Sequence, residues 1–219
     1  MQKHFDEDLG TLKEQLLMMS SYAESAVSQA VRAVTERDDK MALQVQANDD
    51  IMDQYEIDID DLAIRLLSKS PLDTDLRLIT VAMKISQNLE RIGDEATTIS
   101  RRAVELNQDA RLKAYLDIPH MAAVALGMLK ESLDAFVNKQ PEKARALIPR
   151  DKEVDAMNRR FYRELSSYMV ENPTAISRCL NLMTVSKSLE RVADHATNIA
   201  QQVVYLCEAR DIRHEAHKL

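Results

Sequence analysis

Tryptophan is missing from these 219 residues, aromatic side chains make up 4 %, and there are only three glycines and five prolines. Sheet proteins need Gly, Asn or Pro at short regular spacing for their turns. So few turn formers, beside abundant Ala, Leu, Met, Glu, Lys and Gln, exclude that class and leave long helices. No apolar run approaches the roughly 18 residues of a membrane span, and Met1 to Leu12 is too charged and mixed for a signal-peptide core. Cys179 and Cys207 have no CxxC partner, so they are expected to be core thiols without a disulfide framework. Excess positive charge is lacking as well. At a formal net charge of −7 the chain is unsuited to a phosphate-backbone partner, and the arginine pairs at 101–102 and 159–160 are too small to reverse that, so no nucleic acid is expected. No Ser, His and Asp arrangement, Gly-rich phosphate loop or HExxH pattern is present, which argues against hydrolases and NTPases. The expectation is a soluble, cytoplasmic, non-catalytic helical protein.

What the sequence does contain is itself, twice. ERIGDEATTI at Glu90 to Ile99 returns as ERVADHATNI at Glu190 to Ile199. Ala82, Ile85, Leu89, Ile92, Ala96 and Ile99 step by three and four along one helix face, and Leu182, Val185, Leu189, Val192, Ala196 and Ile199 repeat the seam. The first half reads as helices over 5–37, 39–70 and 75–107, with breaks near Asp38 and Pro71. The second starts at Pro119, with breaks at Gln140–Pro141 and Asn172–Pro173. The fold class is all-α: two tandem three-helix bundles, residues 1–108 and 109–219. The first two helices align at an offset of 102 and the third at 100, so two residues were lost after the second proline, as a surface turn tolerates. The eleven methionines, among them Met18, Met19, Met83, Met157 and Met183, read as adaptable core filling.

The repeated residues that carry chemistry are carboxylates. Asp49 and Asp53, Glu90 and Asp94, Asp151 and Asp155, and Glu190 and Asp194 are each spaced i, i+4, so each pair projects from one helix face. If helices two and three form an antiparallel hairpin turning near Pro71, Asp53 stands level with Glu90 and Asp49 with Asp94. The same folding at Asn172–Pro173 sets Asp155 beside Glu190 and Asp151 beside Asp194. Like charges that close need a counter-charge. All-oxygen donors select hard cations, with iron, manganese, magnesium or calcium as candidates and zinc a poorer match for want of Cys and His. Thr98 and Asn198, one turn further on, can add oxygen, and the ions are expected on the bundle surface. A plain solvated acidic face, with Arg91 and Arg191 as local partners, is the competing reading. His195 answers to Glu95 in the first copy and is read as a surface histidine. The alternative enzyme, a ferritin-like di-metal carboxylate oxidase, would want Glu-x-x-His pairs, and none begins at Glu90 or Glu190.

The tandem E-R-[IV]-[GA]-D signature, the ERVADHATNIA form of the second copy and the closing VVYLCEARDIRH segment resemble the PhoU family essentially from end to end. The resemblance implies two three-helix bundles related by pseudo-twofold symmetry, with multinuclear metal clusters on the motifs that match Asp49/Asp53, Glu90/Asp94, Asp151/Asp155 and Glu190/Asp194. It further implies a negative regulator of the phosphate-starvation response. Its partners would be the ATPase subunit of the phosphate ABC transporter and the sensor histidine kinase of that system, with membrane contact only through them. A homodimer is compatible with this. Thr98 departs from the amide or acid common at that point of the family's motif, so the first site is expected to be the weaker one.

Overall fold

A computed structural model describes residues 2–69, 72–112 and 118–213, and all of its regular elements are helical, with no strand among the described residues. The order is α1 (Gln2–Glu36), α2 (Asp39–Ala47), α3 (Asp49–Leu67), α4 (Asp73–Asn107), α5 (Ile118–Val137), α6 (Pro141–Leu147), α7 (Asp151–Glu171) and α8 (Ile176–Glu208). These make six rods, three per half, and the middle rod of each half is broken.

The single helix expected from Asp39 to Ser70 is therefore corrected: it stops at Ala47 and restarts at Asp49. Asn48 sits at the break with φ −97° and ψ 3°, a residue type of low helix propensity, and its side-chain oxygen accepts from Gln44 Nε2 at 3.0 Å at the end of α2. In the second half Pro149 brings no N–H, and a 3-10 turn over Ile148–Arg150 separates α6 from α7. The two breaks have one consequence. Asp49 and Asp151 each become the first residue of a helix, where unsatisfied backbone N–H groups favour negative charge. Ser70 and Pro71, expected as the next break, lie outside the described residues.

The turn between the first and second rods is also repeated, without glycine. Arg37 (φ 62°) and Lys139 (φ 51°) occupy equivalent places in the left-handed region. The following amides close back on equivalent carbonyls, Asp38 N to Ala33 O at 3.1 Å and Gln140 N to Ala135 O at 2.9 Å, as in a Schellman helix ending. Asp38 then caps α2 by accepting from Met41 N at 3.0 Å.

The third rods are the centre. α4 packs on α1, α3 and α8, while α8 packs on α4, α5 and α7, and α1 touches α5. The seam read from the sequence is the core: Ile85, Leu89, Ile92, Ala96, Ile99, Val185, Leu189, Val192, Ala196 and Ile199 are wholly buried. α4 and α8 cross antiparallel. Arg77 and Lys84 lie against the Tyr205 ring, Asn88 meets Asn198, Glu95 meets Arg191, and Arg102 meets Asn181. On α3, Gly93 of α4 finds Met52, whose Cγ would stand 3.0 Å from an added Cβ. The second copy has Ala193 and the smaller Val154 at those positions, so the volume is exchanged across the contact. Met19 and Met183 are core residues and Met83 and Met157 are half-buried against it, whereas Met18 is exposed. Cys179 is buried; Cys207, expected in the core, is only partly covered.

Candidate metal centre

In the first half, α3 carries Asp49, Asp53 and Glu56 past Glu90 and Asp94 of α4. Their charges act on one another: the Asp94 carboxyl is raised by burial, then by Asp49 and Asp53, against Arg91. Glu90 is pushed up to about 7 by burial first and then by Asp94, with Glu56 and Asp53 adding to the shift and Arg91 opposing it. Glu56 is raised by burial and by Asp60, Asp53 and Asp94. Arg91 is the resident counter-charge, its Nε 3.5 Å from Glu90 Oε2 and its Nη1 3.6 Å from Asp94 Oδ2. The Thr97 hydroxyl donates to Asp49 Oδ1 at 3.0 Å and fixes that carboxylate against α4.

In the second half the carboxylates also act on one another. Burial and the charges of Asp155 and Glu190 raise Asp151, while burial, Glu190 and Asp151 bring Asp194 up to about 7. Carboxyl groups that repel one another in this way are relieved by a proton or by a cation. Asp151 Oδ1 is buried with no hydrogen-bond partner. Glu190, 8 % exposed, is ion-paired through Oε2 with Lys187 yet receives no well-directed hydrogen bond there. Asp155 is held by Arg159 at 3.2 Å.

The structure thus sets the expected partners side by side in each hairpin, but as open patches. Among the described residues no group of three or more His, Cys, Asp or Glu side chains converges tightly enough to hold a metal ion as it stands. The donor chemistry nevertheless fits a hard cation: all oxygen, mutually repelling, partly desolvated, and with the orphaned Oδ1 of Asp151 in the second group.

Asn198 turns toward the other half, its Nδ2 donating to Asn88 Oδ1 at 3.3 Å, a bond its Oδ1 does not use. His195, expected at the surface, is half-buried with Nδ1 3.0 Å from Asn88 Oδ1; it packs there because α8 crosses α4 at that level. Arg191 leaves its own carboxylates for Glu95, whereas Arg91 stays with its own. Glu190 is buried and not at the surface, since its stripe borders the seam. Sequence reasoning missed Thr97, Glu56 and Lys187. Thr97 had a signal, because Thr197 repeats it within the motif. Glu56 and Lys187 answer to Asn158 and Gln87, so repetition could not mark them.

The PhoU domain profile matches residues 16–103 and 118–203. The chain is 39 % identical over 214 residues to a Pseudomonas aeruginosa protein named phosphate-specific transport system accessory protein PhoU homolog, covering 97 % of this chain and 88 % of that one. It is 35 % identical over 219 residues to the homolog of the same name from Caulobacter vibrioides, covering 99 % and 95 %. The crystal structure of PhoU from Pseudomonas aeruginosa superposes with a TM-score of 0.91 at 38 % identity, covering 94 % of this chain and all of that one. That of the phosphate transport system regulatory protein PhoU from Streptococcus pneumoniae gives 0.87 at 26 %, covering 94 % and 98 %.

Proposed function

This chain belongs to the PhoU family, and from that premise we propose that it is a non-catalytic, cytoplasmic, metal-dependent adaptor in the regulation of phosphate transport. In this reading it restrains the phosphate-starvation response by linking the ATPase subunit of a phosphate ABC transporter to a sensor histidine kinase, and it moderates uptake. Relatives named as accessory proteins of phosphate-specific transport support the field of action. No helix of the described residues is long and apolar enough to cross a membrane, which suits an adaptor that reaches the membrane through its partners.

The observation that carries the proposal is the second carboxylate group, where burial and mutual repulsion raise Asp151 and bring Asp194 up to about 7, beside a buried Asp151 oxygen that lacks a donor and a buried Glu190 whose only close cation is Lys187. Such an arrangement, paralleled at Asp49, Asp53, Glu90 and Asp94, stores repulsion that protons relieve at low pH and a cation relieves at neutral pH. A bound iron, manganese or magnesium ion would supply that positive charge together with open positions for oxygen ligands of a partner. The protein's own residues do the rest. Asp49, Asp53, Glu90 and Asp94 form one ligand set and Asp151, Asp155, Glu190 and Asp194 the other, with Asn198 offering its amide oxygen. Thr97 orients Asp49, and Asp49 and Asp151 each stand at the start of a helix, where unsatisfied backbone N–H groups favour negative charge. A ferritin-like oxidase finds no support in the histidine, since His195 is engaged with Asn88.

The test is a pull-down of the transporter ATPase and the sensor kinase with wild type and a Glu190→Ala, Asp194→Ala double variant, with elemental analysis of both. The expected outcome is loss of bound metal and weaker retention of at least one partner. Unchanged metal and unchanged retention would sink the proposal.

A further inference from the structure

Arg91 and Arg191 follow the glutamates of their motifs and leave equivalent backbone positions, yet their guanidinium groups go to different places. Arg91 lies over Glu90 and Asp94 of its own half at 3.5 and 3.6 Å. Arg191 crosses from α8 to α4 and meets Glu95 Oε1 at 3.1 Å. The two helices cross antiparallel with Asn88 against Asn198 and Glu95 against Arg191, and the same register sets position 195 against Arg91. Lys187, which the first copy replaces with Gln87, pairs with Glu190 alone, and at the crossing itself what differs is the residue found there. Glu95 offers a carboxylate, 8 % exposed and with Oε2 lacking any donor, which makes it a strong and unsaturated acceptor. His195 offers no anion, and its Nδ1 is occupied by Asn88.

We infer that Glu95 is a positioning residue that draws Arg191 across the α4–α8 crossing and so keeps a guanidinium off Glu190 and Asp194, raising the affinity of the second carboxylate group for a hard divalent cation. This rests on the metal reading above. A guanidinium held within about 4 Å of the carboxylates competes directly with a cation for the same oxygens, as Arg91 does in the first group, and exposure to solvent moderates the effect to about tenfold in affinity. Residue 95 therefore lets one half of the molecule set the metal affinity of the other without touching the ion.

The experiment is calorimetric titration of the full chain with Mn²⁺ after chelator treatment. A Glu90→Gln, Asp94→Asn background isolates the second group. Adding Glu95→Gln to it is expected to weaken Mn²⁺ binding about tenfold, because Arg191 returns to Glu190 and Asp194. Adding Arg191→Gln as well is expected to restore the affinity, which neither partial unfolding nor the mere loss of the Glu95 charge would do. In the mirror background, Glu190→Gln with Asp194→Asn, His195→Glu is expected to draw Arg91 away and tighten the first group. If Glu95→Gln leaves the second group within twofold, or Arg191→Gln fails to rescue it, the inference falls while the metal reading stands. If wild type takes up no Mn²⁺ at all, the metal reading fails and this inference with it.

Discussion

Lys139 shows how single residues carry the repeat where composition hides it. It holds a left-handed φ of 51° at the end of α5, as Arg37 holds 62° at the end of α1. A side chain with a Cβ costs roughly 1 kcal/mol there, and glycine avoids the cost. Arg37 offsets it by donating from Nη2 to the carbonyls of Asn107 and Asp109, tying the α1 turn to the end of α4. Lys139 shows no such bond among the described residues. Lys139→Gly is therefore expected to stabilise the protein by about 0.5–1 kcal/mol and Arg37→Gly to destabilise it, read as opposite shifts in the midpoint of urea unfolding. Scarcity of glycine correctly spoke for helices, yet it also concealed this turn, because here the left-handed residues are Arg and Lys. At the candidate site the same divide holds. Glu90, Asp94, Glu190 and Asp194 were legible because the motif repeats them, and the hairpin register that brings them to α3 and α7 followed from numbering alone. Glu56 and Lys187 were not legible, since one copy lacks each. The crossing of Arg191 to Glu95 depends on packing between the halves, which no periodicity within one helix encodes.

The elements differ in how firmly they are held, and this too is written unevenly in the sequence. The long seams of α4 and α8 announce central helices, and both prove buried along most of their length. Neither break in the middle rods announced itself: Asn48 interrupts a pattern whose polarity barely changes, and Pro149 stands eight residues after the Pro141 already taken as the boundary. The two middle rods are not equals. α3 buries Met52, Ile59, Leu62, Ala63 and Leu66 and exposes Ile57 and Ile64, whereas α7 buries only Val154, Phe161 and Leu165 and exposes Tyr162, Tyr168 and Val170. A cavity of about 140 Å³ between α5 and α7, lined by Met121, Met157 and Phe161, marks the looser contact. In the first half Tyr22 and Tyr55 meet between α1 and α3 with ring centroids 5.6 Å apart. Apolar burial is the main resistance to local opening. Amide hydrogen exchange is thus expected to be faster along 154–168 than along 55–66, and slowest in the middles of α4 and α8. Equal protection of α3 and α7 would contradict this account. If the second metal group closes on an ion, α7 is the element with the least packing to sacrifice in adjusting to it.

At the level of the whole molecule the two carboxylate groups act together on stability. Glu56, Glu90, Asp94, Asp151 and Asp194 are all raised above their ordinary values, Glu90 and Asp194 to about 7. A carboxyl whose folded pKa exceeds its unfolded one binds protons more tightly when native, so its contribution is full below the unfolded value near pH 4 and is lost as the pH rises through 7. His195 works the other way: burial lowers it, so its contribution is full above pH 6.5 and is lost as the pH falls below that value. One histidine does not offset five carboxyls. The chelator-treated protein is therefore expected to have its highest melting temperature near pH 5 and to lose stability steadily toward pH 8, and a Glu90→Gln, Asp194→Asn variant is expected to show a flatter profile. Mn²⁺ should invert the trend, because protons and cation compete for the same oxygens. Its stabilisation follows the ratio of free metal to dissociation constant, and that constant improves as the carboxyls ionise. Melting curves at pH 5, 6, 7 and 8, with and without 1 mM Mn²⁺ (a concentration on the order of 100 times a 10 µM dissociation constant), separate the cases. A metal-induced shift that grows with pH fits carboxylates built to exchange protons for a cation. A metal-free protein whose stability rises from pH 5 to 8 would mean that the clustered charges are relaxed by solvent and exert no strain for a metal to relieve.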